Sequence, residues 1–185
     1  STGTFAEAAD DMTGDTVADV LPVKGNVRPA YRRTVVFGDS VILSGRTALR
    51  DTLGDIAIDA KVGRQPSEIA RHIVARKTRG KIGPDVVIHM GTNGTVTDDD
   101  LRPILDLLRD RRRVVVVNVR VPRPWMRPSN AVITALIGRY PNVRLADWNT
   151  VGRGHRAYFT PDGVHLTARG GRAFARMIDE ALKRA

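Results

Sequence analysis

A three-layer α/β/α sandwich around a five-stranded parallel sheet is the fold this sequence predicts, and three observations predict it. Short apolar runs recur between residues 34 and 146, each of strand length. Stretches with helical spacing of apolar residues separate them, the alternation that parallel crossovers require. One run, Val114-Val115-Val116-Val117-Asn118-Val119, is apolar on both faces, as a strand covered on both sides must be.

Taken in chain order, residues 1–30 are small and acidic, with Asp10, Asp11, Asp15 and Asp19, and then rich in breakers from Leu21-Pro22 to Arg28-Pro29. They predict a linker or lead-in, and residues 31–185 the domain. Residues 34–37 are the first expected strand; Gly38-Asp39-Ser40 and a helix to about Leu53 follow. Residues 56–59 make the second strand, and 66–77 a helix with Ile69, Ile73 and Val74 on one face. Residues 85–90 form the third. Asp98 is the expected cap of a helix carrying Leu101, Ile104, Leu105 and Leu108. Arg111, Arg112 and Arg113 are expected to close that helix, where positive charge suits the dipole. Residues 114–119 are the fourth strand, 129–139 a helix, 143–146 the fifth strand, and 167–183 the last helix.

Composition narrows the class. With 42% hydrophobic and 27% charged residues, 17 Gly and 10 Pro, the 185-residue chain is not collagenous, coiled-coil or mainly disordered. No apolar run approaches the roughly 20 residues of a membrane-spanning helix. The absence of cysteine removes thiol chemistry and Cys-based zinc sites. Lys and Arg number 30 against 20 Asp and Glu, a net charge of +10 that favours polyanions. Arginine supplies most of that charge, a bias that genome composition produces unaided. Aromatics are 5%, and no aromatic-interleaved basic strand is present, so nucleic acid is not an expected partner.

In an open parallel sheet, ligands bind at the carboxyl ends of the strands. Four segments fall there: Gly38-Asp39-Ser40, Lys61-Val62-Gly63-Arg64, Gly91-Thr92-Asn93-Gly94 and Asp162-Gly163-Val164-His165. A serine between a strand and a helix presents its hydroxyl at the sheet edge and its amide at a helix N-terminus, the geometry of an acyl-transfer nucleophile. The same pattern also suits a plain helix cap. Among four histidines, His72 reads as solvated, His89 as structural within a strand, and His155 as a loop residue that could lie near the site. His165 stands three residues after Asp162, so the carboxylate can hold one ring nitrogen and leave the other for Ser40. Gly63 and Asn93 would complete an oxyanion hole, one by close backbone approach and one by a neutral side-chain donor.

In this order, Gly38-Asp39-Ser40, Gly63, Gly91-Thr92-Asn93 and Asp162-Gly163-Val164-His165 resemble the four blocks of the SGNH (GDSL-type) hydrolase superfamily, whose sheet is flavodoxin-like. The longer stretches narrow it: Asp59-Ala60-Lys61-Val62-Gly63-Arg64-Gln65, His89-Met90-Gly91-Thr92-Asn93-Gly94, Val121-Pro122-Arg123-Pro124-Trp125 and Asp162-Gly163-Val164-His165-Leu166 are similar to the extracytoplasmic domain of peptidoglycan O-acetyltransferases. Val41, where the broader pattern has Leu, and Gly94, where many hydrolases have Asp, fit that branch better than a lipase.

The resemblance implies Ser40 as nucleophile, His165 as base, Asp162 as its orienter, and Ser40 N–H, Gly63 N–H and the Asn93 side chain as oxyanion donors. It implies no cofactor and no metal. It implies an acetyl donor delivered by a membrane acyltransferase domain, a cell-wall glycan acceptor, and an extracytoplasmic domain tethered to the membrane and monomeric by itself. The missing Met and the acidic lead-in fit an excised piece of such a protein. Trp125, beyond the fourth strand, and Arg64 are the expected substrate-binding residues. The same triad with water as acceptor gives the competing expectation, a carbohydrate or small-ester esterase. A non-catalytic module that binds anionic wall polymer is the third.

Overall fold

The computed structural model describes residues 17–18 and 34–184. Of the predicted lead-in, only Val17–Ala18 is described, as a two-residue strand β1; the remainder lies outside the described residues. Five further strands follow: β2 (Thr34–Gly38), β3 (Ile56–Ala60), β4 (Asp85–His89), β5 (Arg113–Val117) and β6 (Val143–Ala146). Their order across the sheet is β1-β3-β2-β4-β5-β6. The five predicted strands are all parallel, and β1 adds a short antiparallel edge, pairing Val17 with Asp59 and Ala18 with Ile58.

The apolar strands make two cores because successive side chains point to opposite faces. Val36, Ile58, Val87, Val115 and Val117 face α1 (Ser40–Leu53) and α6 (Ala168–Lys183). Val35, Phe37, Val86, Ile88, Val114 and Val116 face α2 (Pro66–Thr78), α3 (Asp98–Leu107) and α4 (Met126–Ile137). A four-residue helix, α5 (Trp148–Val151), and a 3-10 turn at Arg156–Tyr158 lie between β6 and α6. The sequence carried no periodic signal for either, since both are shorter than two helical turns.

Three local expectations are corrected. Thr97, not Asp98, caps α3: its hydroxyl accepts from Asp100 N–H, and the Asp100 carboxylate returns the bond to Thr97 N–H. The Arg run does not close α3, which ends at Leu107. Instead Arg112 and Arg113 both donate to Asp85, which opens β4 with no exposed surface and needs counter-charge there. Arg111 pairs with Asp110 and reaches Ile82 O. The fourth helix starts at Met126 rather than 129, with Pro128 in its first turn, where a missing N–H leaves no helical bond unmade.

Candidate active site

The carboxyl ends of β2, β3, β4 and β5 bring residues 39–40, 61–65, 90–94 and 118–125 to one end of the sheet. Ser40 is the first residue of α1 and is 8% exposed. Asp39 caps this helix by accepting from Val41 N–H at 3.0 Å. The first amides of a helix have no intrahelical acceptor, so Ser40 N–H belongs to the donors left for an anion there.

His165 arrives from the far end of the chain, 125 residues on. Its Nε2 lies 2.8 Å from Ser40 Oγ, and its Nδ1 lies 2.6 Å from Asp162 Oδ2. The other Asp162 oxygen accepts from Thr160 Oγ1 (2.7 Å), Val164 N–H (2.8 Å) and His165 N–H (3.0 Å). The hydrogen bond from His165, joined by these donors, holds the Asp162 carboxyl well below the usual carboxylate range against the opposing effect of burial. An ionised Asp162 fixes the imidazole with Nδ1–H toward the carboxylate and Nε2 free to accept from the serine.

This turn is built as a short hairpin. Phe159 and Leu166 form a bridge, Thr160 N–H donates to His165 O, and Gly163 N–H donates to Thr160 O. Trp148 underlies it, with ring centroids 5.6 Å from Phe159 and 5.1 Å from Phe174. Ser44, one turn along α1 from Ser40, accepts from Leu166 N–H at 3.1 Å and donates to Val41 O. The turn that carries His165 is thereby fastened to the helix that carries Ser40. Sequence reasoning missed Ser44 and Thr160, because a lone hydroxyl carries no pattern until its long-range partner is known.

Gly63 sits beyond β3 in the left-handed region (φ 75°), a backbone state that the absence of Cβ permits. Asn93 Nδ2 donates to Arg64 O at 3.3 Å, which orients the amide and leaves a second N–H to donate elsewhere. His89 is buried with its Nδ1 3.5 Å from Asp39 Oδ1, so the histidine expected to be structural stands directly behind the capping carboxylate. Burial works to raise the Asp39 pKa, but the charge and hydrogen bonding of His89, with Val41 N–H and Thr92, bring it below its ordinary value.

The structure gives both expected substrate contacts a partner within the protein. Arg64 is 4% exposed, with its guanidinium on Asp59 Oδ1 (2.8 Å) and Asp59 O (3.0 Å). A buried guanidinium committed to a carboxylate is not free to meet a substrate, so Arg64 is corrected to a scaffold residue whose carbonyl holds Asn93. Trp125 is half-buried and donates its indole N–H to Gly91 O at 2.9 Å, which makes it a brace for the loop that bears Asn93. His72, read as solvated, has Nδ1 3.5 Å from the buried Asp59. His155 is exposed and stacks on Tyr158 at 4.6 Å between ring centroids; the imidazole near Ser40 is His165.

No family model matches the chain. Peptidoglycan O-acetyltransferase OatA of Listeria monocytogenes is 36% identical over 82% of this chain, and the Bacillus subtilis protein YrhL is 34% identical over the same share. The chain spans about a quarter of the length of these relatives. Among solved structures, the C-terminal catalytic domain of Streptococcus pneumoniae OatA superposes with a TM-score of 0.72, at 24% identity, covering 81% of this chain and 92% of that one. A lipolytic G-D-S-L family member from Veillonella parvula superposes with a TM-score of 0.67 at 15% identity, covering 82% and 98%. At these identities, the structural likeness establishes a shared fold.

Proposed function

This chain is an SGNH-fold domain related in sequence to peptidoglycan O-acetyltransferases, and on that footing we propose that it is a serine-dependent O-acetyltransferase acting on cell-wall glycan through an acyl-enzyme. The observation that carries the proposal is the continuous chain of short contacts Asp162–His165–Ser40, assembled at the carboxyl end of the sheet. Asp162 and His165 act as orienter and base. Ser40 N–H, Gly63 N–H and the Asn93 amide act as oxyanion donors.

Ser40 Oγ attacks the acetyl carbonyl as its proton passes to His165 Nε2. The oxyanion is held by the three donors, and the leaving group departs with the proton from His165. A sugar hydroxyl then attacks the acetyl-serine, gives its proton to Nε2, and leaves as the O-acetyl sugar while that proton passes on to Ser40 Oγ, restoring serine and histidine. The relatives' names supply the acceptor class. The full protein would work outside the cytoplasm, with a separate domain delivering the acetyl group.

Transfer competes with hydrolysis for one intermediate. An oriented sugar wins, because effective molarities of about 10⁵ M or more exceed the concentration of bulk water. One observation favours a second reading, an esterase: the side chains of His165 and Asp162 are 38% and 48% exposed, so water reaches the triad. Incubating the chain with an activated acetyl ester and wall-derived oligosaccharides, followed by mass spectrometry, decides between them. The expected result is acetylated sugar and faster consumption of the donor when glycan is present. Free acetate as the sole product with every glycan would replace the transferase with the esterase.

A further inference from the structure

A cleft of about 860 Å³ adjoins the triad on the side of β5 and β6, lined by Arg120, His155, Arg156, Phe159, Thr160 and Gly163, among others. Thr160 and Gly163 belong to the turn that holds Asp162, so the cleft and the triad share a wall. Its electrostatics are one-sided. Arg120 and Arg156 line it, and Arg153 lies close enough to act on Arg120 by charge. Among the described residues, no carboxylate lines it. The nearby acids are already engaged: Asp162 accepts from His165 and Thr160, and Asp147 accepts from Asn118 and Thr150 N–H.

Arg120 is the decisive residue. It is half-buried and makes no ion pair among the described residues. Its guanidinium donates to the neutral Asn149 carbonyl (3.2 Å) and lies over the Phe159 ring at 5.3 Å. Gly152 packs under its stem; a Cβ there would come within 2.7 Å of Arg120 Cδ. A guanidinium held in place, partly desolvated and lacking a counter-ion is prepared for an incoming anion. Elsewhere the partly buried arginines that meet carboxylates do so directly, as Arg112 and Arg113 do at Asp85.

We infer that this cleft is an anion subsite in which Arg120, supported by Arg156, takes a carboxylate carried by the glycan acceptor beside the reacting sugar. The inference rests on the reading that the chain acts on glycan, and it adds the acidic class of that glycan.

Calorimetry without any acetyl donor tests it separately from transfer. The probe is a hexasaccharide alternating N-acetylglucosamine and N-acetylmuramic acid with free lactyl carboxylates, compared with the same glycan capped as methylamides. The chain is expected to bind the acidic form at least about tenfold more tightly, the effect of one charge-assisted contact. Arg120→Gln removes that preference, and Arg156→Gln, at an exposed position that does not threaten the fold, reduces it. Arg144→Gln deletes the same charge near the amino end of β6, at the other end of the sheet, and leaves the preference in place. Equal binding of the two glycans would overturn the inference, as would a preference that survives both cleft variants or falls equally in Arg144→Gln. A preference for the acidic glycan in a chain that yields only free acetate would sink the transferase reading and leave the subsite standing.

Discussion

Asp162 shows how much chemistry one side chain can hold when its neighbours are arranged around it. One oxygen faces His165 Nδ1 and the other collects three donors, which explains both the ionised carboxylate and the fixed ring. Asp162→Asn is therefore expected to keep the fold and to lower kcat for a small acetyl ester by about 10³–10⁴-fold, as loss of a triad orienter does elsewhere. Circular dichroism and steady-state kinetics check the two halves of that statement. Because Asp162 remains charged well below the usual carboxylate range, its protonation should not contribute to any loss of turnover on mild acidification. The acid limb should therefore follow uptake of a single proton, with none contributed by Asp162. A two-proton limb in kcat/KM would mean a second group controls the nucleophile.

At the scale of elements, the candidate site depends on α1 and α6 lying side by side, α1 carrying Ser40 and α6 following the turn that carries Asp162 and His165. Helix α6 begins beside the Phe159–Leu166 hairpin: Thr167 N–H donates to Tyr158 O at 3.0 Å, and Thr167 Oγ1 caps the helix through Gly170 N–H. Gly170 must be glycine for steric reasons, since a Cβ would fall 1.9 Å from Tyr158 O. Backbone cannot yield as a flexible side chain can. Gly170→Ala is expected to cost about 3 kcal/mol, a fall of roughly 6–12 °C in Tm. It should also depress kcat through displacement of the His165 turn. Thermal melts and ester turnover measured on one preparation test both, and an unchanged Tm would show that the hairpin is not packed as tightly as described.

Over the whole molecule, acid stability reports the buried polar layer beneath the site. Asp39 has no exposed surface, faces His89 and caps α1, and its folded pKa lies below the ordinary value. A depressed carboxylate contributes stability that is complete above its unfolded pKa, about 4, and is lost as pH falls through the folded value. Urea unfolding should therefore show a midpoint that declines below about pH 4. Asp39→Asn keeps a capping oxygen for Val41 N–H but removes the charge, so its midpoint should be lower at neutral pH and flatter across the acid range. Equal slopes in the two proteins would assign the acid sensitivity to other carboxylates.

The sequence by itself determined the strand-helix alternation, the five parallel strands and the end of the sheet where the candidate residues gather. Each is written in local pattern: apolar runs buried on both faces, helical spacing between them, and loops at strand ends. It also placed Ser40, Asp162 and His165 together as candidates, because Asp162 and His165 share one turn and Ser40 opens one helix. Tertiary structure alone decided which polar groups meet across long separations. It turned Arg64 inward onto Asp59, set Trp125 against Gly91, moved Arg112 and Arg113 from a helix end to the buried Asp85, and fastened the hairpin to α1 through Ser44. The physical reason is that burial is a property of the packed layers, and a charged or hydroxyl side chain takes its partner from whatever the packing brings within about 3 Å. Local sequence shows that such a group must be satisfied, and only the assembled fold supplies the group that does it.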